Sequence, residues 1–242
     1  MSTVPQQEGS RVVDRHEKSD GIVFHSGTLF RQDLAIRLAT IPTTILSDSM
    51  ERLSEHVAVG LKLLSRPRVT SFVGRAATVR TTPGDNLMIH AALDLALPGD
   101  VLVVDGGGDL TRAVIGEIVV RYAIRRGLAG LVIDGATRDL AYLHESPLPV
   151  YARGNSLLGP HKRGWGDIGG TVSVGGATVH ADDYVVGDQD GVVIVPRDDA
   201  ERVLEKATCG VELEASMLAA IERDNLDRSW IRESLSIRDV SI

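Results

Sequence analysis

The chain has 242 residues, 43% hydrophobic and 24% charged, with a formal net charge of −7. The length suits one large domain, and the acidic balance argues against a general nucleic-acid binder, which needs a basic surface to displace counterions, while leaving room for a local basic pocket. A single cysteine, Cys209, excludes an internal disulfide and fits a reducing, cytoplasmic setting.

Residues 1–30 are polar and weakly patterned, and they read as an N-terminal arm. The opening "MSTVPQQEGSRVVDRHEKSD" has no apolar core, so no signal peptide is expected. No apolar run approaches the roughly 18 residues that span a bilayer, so no membrane partner is expected. Residues 31–242 read as one domain. "RQDLAIRLATIP" predicts a helix closed by Pro42, and "PTTILSDSMERLSE" a second one with Thr43 and Thr44 as N-cap candidates. "VTSFVGRAATVRTT" is rich in β-branched residues and predicts one long or two short strands. "GDNLMIHAALDLALPGD" predicts a helix stopped by Pro98 and Gly99.

"VLVVDGGGD" then reads as a short buried strand running into a glycine loop. "TRAVIGEIVVRYAIRRG" has apolar residues at 114, 115, 118, 119, 122 and 123, which is helical spacing. Arg125, Arg126 and Gly127 supply C-terminal helix chemistry. "GLVIDGATRDL" is the next strand and loop. The strand–helix–strand unit predicts a parallel pair. Both Asp-Gly loops then leave the same sheet edge, where open α/β sheets bind ligands. Residues 147–196 predict several short strands, and "RDDAERVLEKATCGVELEASMLAAIERD" a long C-terminal helix over about 198–225. The fold class is α/β, with a helical N-terminal part.

The chemistry concentrates at the two loops. Gly106, Gly107 and Gly108 let backbone approach a ligand closely, although a triple glycine alone is also a plain tight turn. Amides around Gly116, Ile118 and Val119, at the following helix start, can hold an anion. Arg138 and Asp139 allow two readings. One is a surface ion pair, with Asp139 capping "LAYLHE". The other is an Arg138 clamp on a carboxylate or carbonyl, Asp139 as ligand to a hard cation, and Glu117 facing the same crevice. Lys18, Lys62, Lys162 and Lys206 follow no buried strand, so a Schiff-base lysine is not expected. There is no G-x-S-x-G, H-E-x-x-H or P-loop, and "GGGDLTRAVIG" lacks the dinucleotide order. His161 in "GPHKRGWGD" reads as a solvated loop residue, and Asp190-Gly191 as a turn.

Together "PGDVLVVDGGGD…GE…GLVIDGATRD…PVYARG…ADDYVVGDQDGVVIVP" resembles the RraA-like family over roughly residues 40–200. That family includes the class II, metal-dependent 4-hydroxy-4-methyl-2-oxoglutarate/4-carboxy-4-hydroxy-2-oxoadipate aldolases. Its aldolase members share an acid, twenty residues, then Arg-Asp, a pattern that Glu117, Arg138 and Asp139 fit. The resemblance implies a β/β/α sandwich (swivelling-domain-like) and a trimer or hexamer. It implies Asp139 as the Mg²⁺ or Mn²⁺ ligand and Arg138 on the keto-acid oxygens. The acid at 117 would act through a metal-bound water, and the Ile118 and Val119 amides would take the substrate carboxylate. The family's usual acid there is aspartate, so Glu117 reaches one methylene further. A glutamate from a neighbouring subunit's C-terminal helix completes the family site, for which Glu212 or Glu214 could serve.

The implied activity is retro-aldol cleavage of a 4-hydroxy-2-oxo dicarboxylic acid to pyruvate through an enolate, with oxaloacetate decarboxylation as a companion. The alternative is a non-catalytic, RraA-type regulator that binds a protein partner. Other members are described as demethylmenaquinone methyltransferases, but no S-adenosylmethionine motif is present.

Overall fold

Two apolar runs, 101–104 and 131–133, are buried on both faces and set the middle of the molecule. Leu102, Val104, Leu131 and Ile133 face one hydrophobic cluster, while Val101, Val103 and Val132 face another. A strand buried on both sides needs cover on both sides, and that requirement generates the layers. The computed structural model describes residues 19–24, 30–51, 54–67 and 71–236.

The strands are β1 (Gly21–Val23), β2 (Lys62–Leu63), β3 (Ser71–Thr81), β4 (Asp100–Asp105), β5 (Ala113–Ile115) and β6 (Gly130–Thr137). They continue with β7 (Val150–Asn155), β8 (Gly166–Ile168), β9 (Val172–Val174), β10 (Ala177–Val179), β11 (Tyr184–Asp188) and β12 (Val192–Val195). The helices are α1 (Gln32–Leu38), α2 (Thr43–Ser49), α3 (Leu87–Leu95), α4 (Glu117–Arg126), α5 (Leu140–Glu145), α6 (Ala200–Glu222) and α7 (Ser229–Ser234).

The main sheet runs β1-β8-β3-β4-β6-β7-β2. Strands β3, β4, β6 and β7 are parallel neighbours. One face carries α3, α4 and α5. The other carries the β9–β10 hairpin and the β11–β12 pair, and α1, α2 and α6 pack on β11 and β12 in turn. This is the β/β/α layering expected, with the long C-terminal helix in place.

Three expectations are corrected. Val114 and Ile115 belong to β5, not to the crossover helix: β5 pairs with the last residues of β6, and both residues are buried. β-Branched residues suit that pleated edge better than a helix start. The buried face of α4 is Val119, Val120 and Ala123, which leaves Ile118 exposed. Thr43 does not cap α2. Its N–H and hydroxyl both donate to the Asp188 carboxylate, at 2.9 and 2.7 Å, and Pro42 precedes the helix. Of the expected arm, residues 1–18 and 25–29 lie outside the described residues, and β1 joins the sheet beside β8. No helix among the described residues is long and apolar enough to cross a membrane.

Phe72 locks the outer layer to the sheet. Its ring centroid lies 5.8 Å from that of Tyr151, and a side chain at Gly130 or Gly187 would overlap the ring. Phe72→Ala removes this wedge and should cost about 3–5 kcal/mol of unfolding free energy, read from urea denaturation.

Candidate active site at the end of the parallel strands

Asp105 of β4 stands opposite Asp134 of β6 in a parallel register, so the loops that follow leave one sheet edge together. Beyond that edge β6 ends in Thr137, and Arg138 donates its backbone N–H to Ile115 O at 3.0 Å. Asp139 follows with φ 62° and ψ 43°. Left-handed backbone is rare outside glycine, and aspartate and asparagine are the side chains that adopt it most readily.

That turn aims the Asp139 carboxylate back at α4. Its Oδ2 accepts the Glu117 N–H at 2.9 Å, and Arg138 Nε lies 3.8 Å from the same oxygen. The carboxylate makes no capping bond to α5, so the helix-cap reading of Asp139 is set aside. Gly116 leaves the room that this requires, because a Cβ there would overlap Asp139 Oδ2 and press on Arg138 Cγ. The next amides, Ile118 and Val119, belong to the first turn of α4, where N–H groups have no partner inside the helix.

Arg138, Asp139, Gly116, Ile118 and Val119 line one cavity of about 290 Å³, together with Asn86, His90, Gly159 and Lys162. Its charged groups are Arg138, Lys162 and Asp139, an excess of positive charge that suits an anion. Burial, reinforced by the Lys162 charge and opposed by Asp94, pushes the His90 pKa down. The imidazole is therefore neutral near pH 7.

The other expected residues are placed elsewhere. Glu117 gives its carboxylate to Arg121, one turn on in α4, at 2.7 Å. The Arg121 guanidinium in turn lies 4.4 Å above the Tyr142 ring. The side chain of Glu117 does not line the cavity, although its N–H holds Asp139. Gly107 and Gly108 are also outside the lining. Both have positive φ, and their amides are spent on Asp105 Oδ1 and Asp134 O. Glu212 and Glu214, expected to reach the site of a neighbouring subunit, are exposed on α6, which packs on α1 and α2 of its own chain. His161 contributes backbone rather than its ring: its N–H donates to Gly84 O and its C=O accepts from Asn86 N–H. Among the described residues no group of three or more His, Cys, Asp or Glu could hold a metal ion.

The sequence reading passes over Asn86 and His90 and weighs Lys162 only as a Schiff-base lysine. The signal was present in "DNLMIH", since residues four apart share a helix face.

Residues 43–194 match the family model described as RraA-like, Aldolase/RraA. A relative from Halalkalibacterium halodurans, provisionally named 4-hydroxy-4-methyl-2-oxoglutarate aldolase, is 39% identical over 175 residues. The match covers 72% of this chain and 82% of the relative. An uncharacterized protein from Pseudomonas syringae pv. tomato has a similar solved structure, with a TM-score of 0.70 at 26% identity, covering 81% of this chain and 95% of that one. Streptomyces coelicolor RraAS2, described as an unusual member of the RNase ES inhibitor RraA protein family, has a similar solved structure, with a TM-score of 0.69 at 26% identity, covering 76% of this chain and 95% of that one.

Two outcomes follow from this geometry. Gly116→Ala should break the Asp139–Glu117 bond and cost about 1.5–3 kcal/mol, whereas Asp139→Asn, which keeps the turn and an acceptor oxygen, should cost less than about 1 kcal/mol; urea unfolding separates the two. The depressed His90 pKa lets the unfolded chain protonate first, so stability should fall as the pH drops below the ordinary histidine value of 6.5 and level off below the folded value. Unfolding of His90→Gln against pH should lack that step.

Proposed function

The chain belongs to the RraA-like, Aldolase/RraA family, and from that premise we propose a divalent-metal-dependent carbon–carbon lyase that cleaves a 4-hydroxy-2-oxo dicarboxylic acid to pyruvate. The observation that carries this reading is the Arg138–Asp139 pair beside the first-turn amides of α4, in one anion-compatible cavity.

The residues fit a hard cation with few protein ligands. Asp139 is partly exposed, its Oδ2 is steadied by Glu117 N–H, and its Oδ1 is left for a ligand. Mg²⁺ and Mn²⁺ sites often take one or two carboxylates and fill the remaining positions with water and substrate oxygens. Held by Asp139, such an ion would polarise the 2-oxo group and offset the negative charge of bond cleavage.

The chain's own groups supply the rest. The Ile118 and Val119 amides, at the positive end of α4, take the C1 carboxylate. Arg138 hydrogen-bonds the C2 oxygen, where charge gathers as the C3–C4 bond breaks: the C4 hydroxyl gives its proton to a cavity water and becomes the carbonyl of the second product, and the pyruvate enolate takes a proton back at C3 from that water. Val114, Ile115 and Val119 form the apolar part of the cavity lining, and a less polar wall strengthens those interactions. Glu117 fixes the first turn of α4 through its N–H to Asp139 and its pair with Arg121; a role for its carboxylate on a water beside Asp139 would require release from Arg121. Oxaloacetate loses CO₂ through the same enolate, so its decarboxylation belongs to the same reading. A regulator working by surface contact would have no use for this set, which favours the lyase. We extend the reading to self-association as a trimer or hexamer, supported by the exposed apolar side chains of Val211, Leu213, Met217, Leu218 and Ile221 on α6.

Pyruvate release from 4-hydroxy-4-methyl-2-oxoglutarate and from oxaloacetate should require Mg²⁺ or Mn²⁺ and stop with EDTA. Asp139→Asn should abolish it without unfolding the protein, and Arg138→Ala should lower kcat by about 10²–10³-fold. Release that persists in EDTA, or full activity in Asp139→Asn, would remove this assignment.

A further inference from the structure

The cavity has a second wall, built by α3 and by the loop that carries Lys162. Asn86 sits at the N-terminal end of α3, with His90 one turn on; His90 N–H donates to Asn86 O at 3.1 Å. Asn86 is 4% exposed. Its Nδ2 donates to Val114 O at 3.1 Å. A backbone carbonyl can only accept, so this bond fixes which end of the amide is which. Oδ1 is thereby left buried in the cavity wall with no hydrogen-bond partner. An unmet buried acceptor is unfavourable, because it has given up its water without gaining a partner. A ligand that brings a donor would recover that energy.

His90 adds a second acceptor. The groups around it are Lys162 from the loop, Asp94 on its own helix, and Arg138 and Asp139 across the same cavity. Burial and Lys162 together keep the ring neutral, so one ring nitrogen carries a lone pair. Lys162 is exposed and joins no ion pair among the described residues. The wall thus offers two acceptors beside one cation. The complementary ligand is a hydroxyl, which donates, next to a carboxylate.

We propose that this wall recognises the half of the substrate released as the second product, with Asn86 Oδ1 accepting from its hydroxyl and Lys162 pairing with its distal carboxylate. The inference rests on the lyase reading and makes Asn86 and Lys162 specificity-determining residues. A site built to bond a hydroxyl discriminates strongly against ligands lacking it, because its own buried acceptor is then left unpaired. Oxaloacetate has no such hydroxyl, and it brings a carboxylate towards the unpaired oxygen of Asn86.

The test is the ratio of kcat/KM for 4-hydroxy-4-methyl-2-oxoglutarate to kcat/KM for oxaloacetate, with saturating Mg²⁺. Lys162→Met and Asn86→Ala should each lower that ratio at least about tenfold. For Lys162→Met most of the change should lie in KM for the hydroxy acid, as loss of ground-state binding requires. Lys162 is on the surface, so its variant keeps the test valid if Asn86→Ala unfolds. Wild-type release from both substrates, with a ratio that neither variant moves, overturns this inference alone. Two rates that fall in step point to structural damage and overturn it as well. Wild-type protein that releases pyruvate from neither substrate overturns the lyase reading, and this inference with it.

Discussion

A single hydrogen bond, from the Glu117 N–H to Asp139 Oδ2, joins the end of β6 to the start of α4 across 22 residues of chain. Everything in the candidate site is arranged around it. It orients a carboxylate that would otherwise swing in solvent. It fixes where the remaining first-turn amides of α4 point. It also explains the two unusual backbone features beside it: a glycine at 116, where any Cβ would collide, and a left-handed aspartate at 139. The bond forms because β5 runs parallel to the last residues of β6, which sets Ile115 beside Thr137 and brings the following residues of both together.

The reverse face of the sheet answers the same constraint differently. There Asp134, within β6, is bound by Arg153 and accepts the Gly175 N–H at 2.9 Å, while Asp105 accepts from Gly107 N–H and Ser173 N–H. These carboxylates tie the β9–β10 hairpin to the strands. The Asp-Gly pairs that look alike in sequence therefore stitch the layers together. The residues that bear on chemistry come four and five positions after Asp134, just past the end of β6.

How much of this could be read from the sequence depends on how local each cause is. The runs 101–104 and 131–133 announce buried parallel strands by composition alone, and Gly127 and Arg126 announce the end of α4. Arg126 does more than its position suggested, since it also donates to Leu93, Asp94 and Ala96 carbonyls at the end of α3. The Arg138–Asp139 pair stood out because a charged pair directly after a buried strand has few structural uses. The start of α4 was misplaced because Val114 and Ile115 fit a helical period as well as they fit a strand, and only their pairing with β6 decides the matter. The direction of the Glu117 side chain depends on a competitor, Arg121, which is itself positioned by Tyr142. Asn86 and Lys162 meet because the backbone around His161 docks on 84–86. No periodicity reports a loop-to-loop contact of that kind.

The left-handed turn at Asp139 has an evolutionary consequence. Aspartate, asparagine and glycine are the residues best suited to that backbone. An aspartate codon becomes an asparagine codon by one base transition, and the replacement keeps the turn and can still accept from the Glu117 amide. The fold therefore places almost no barrier between a charged and an uncharged version of this site. Packing preserves the cavity, and only selection on its chemistry preserves the charge.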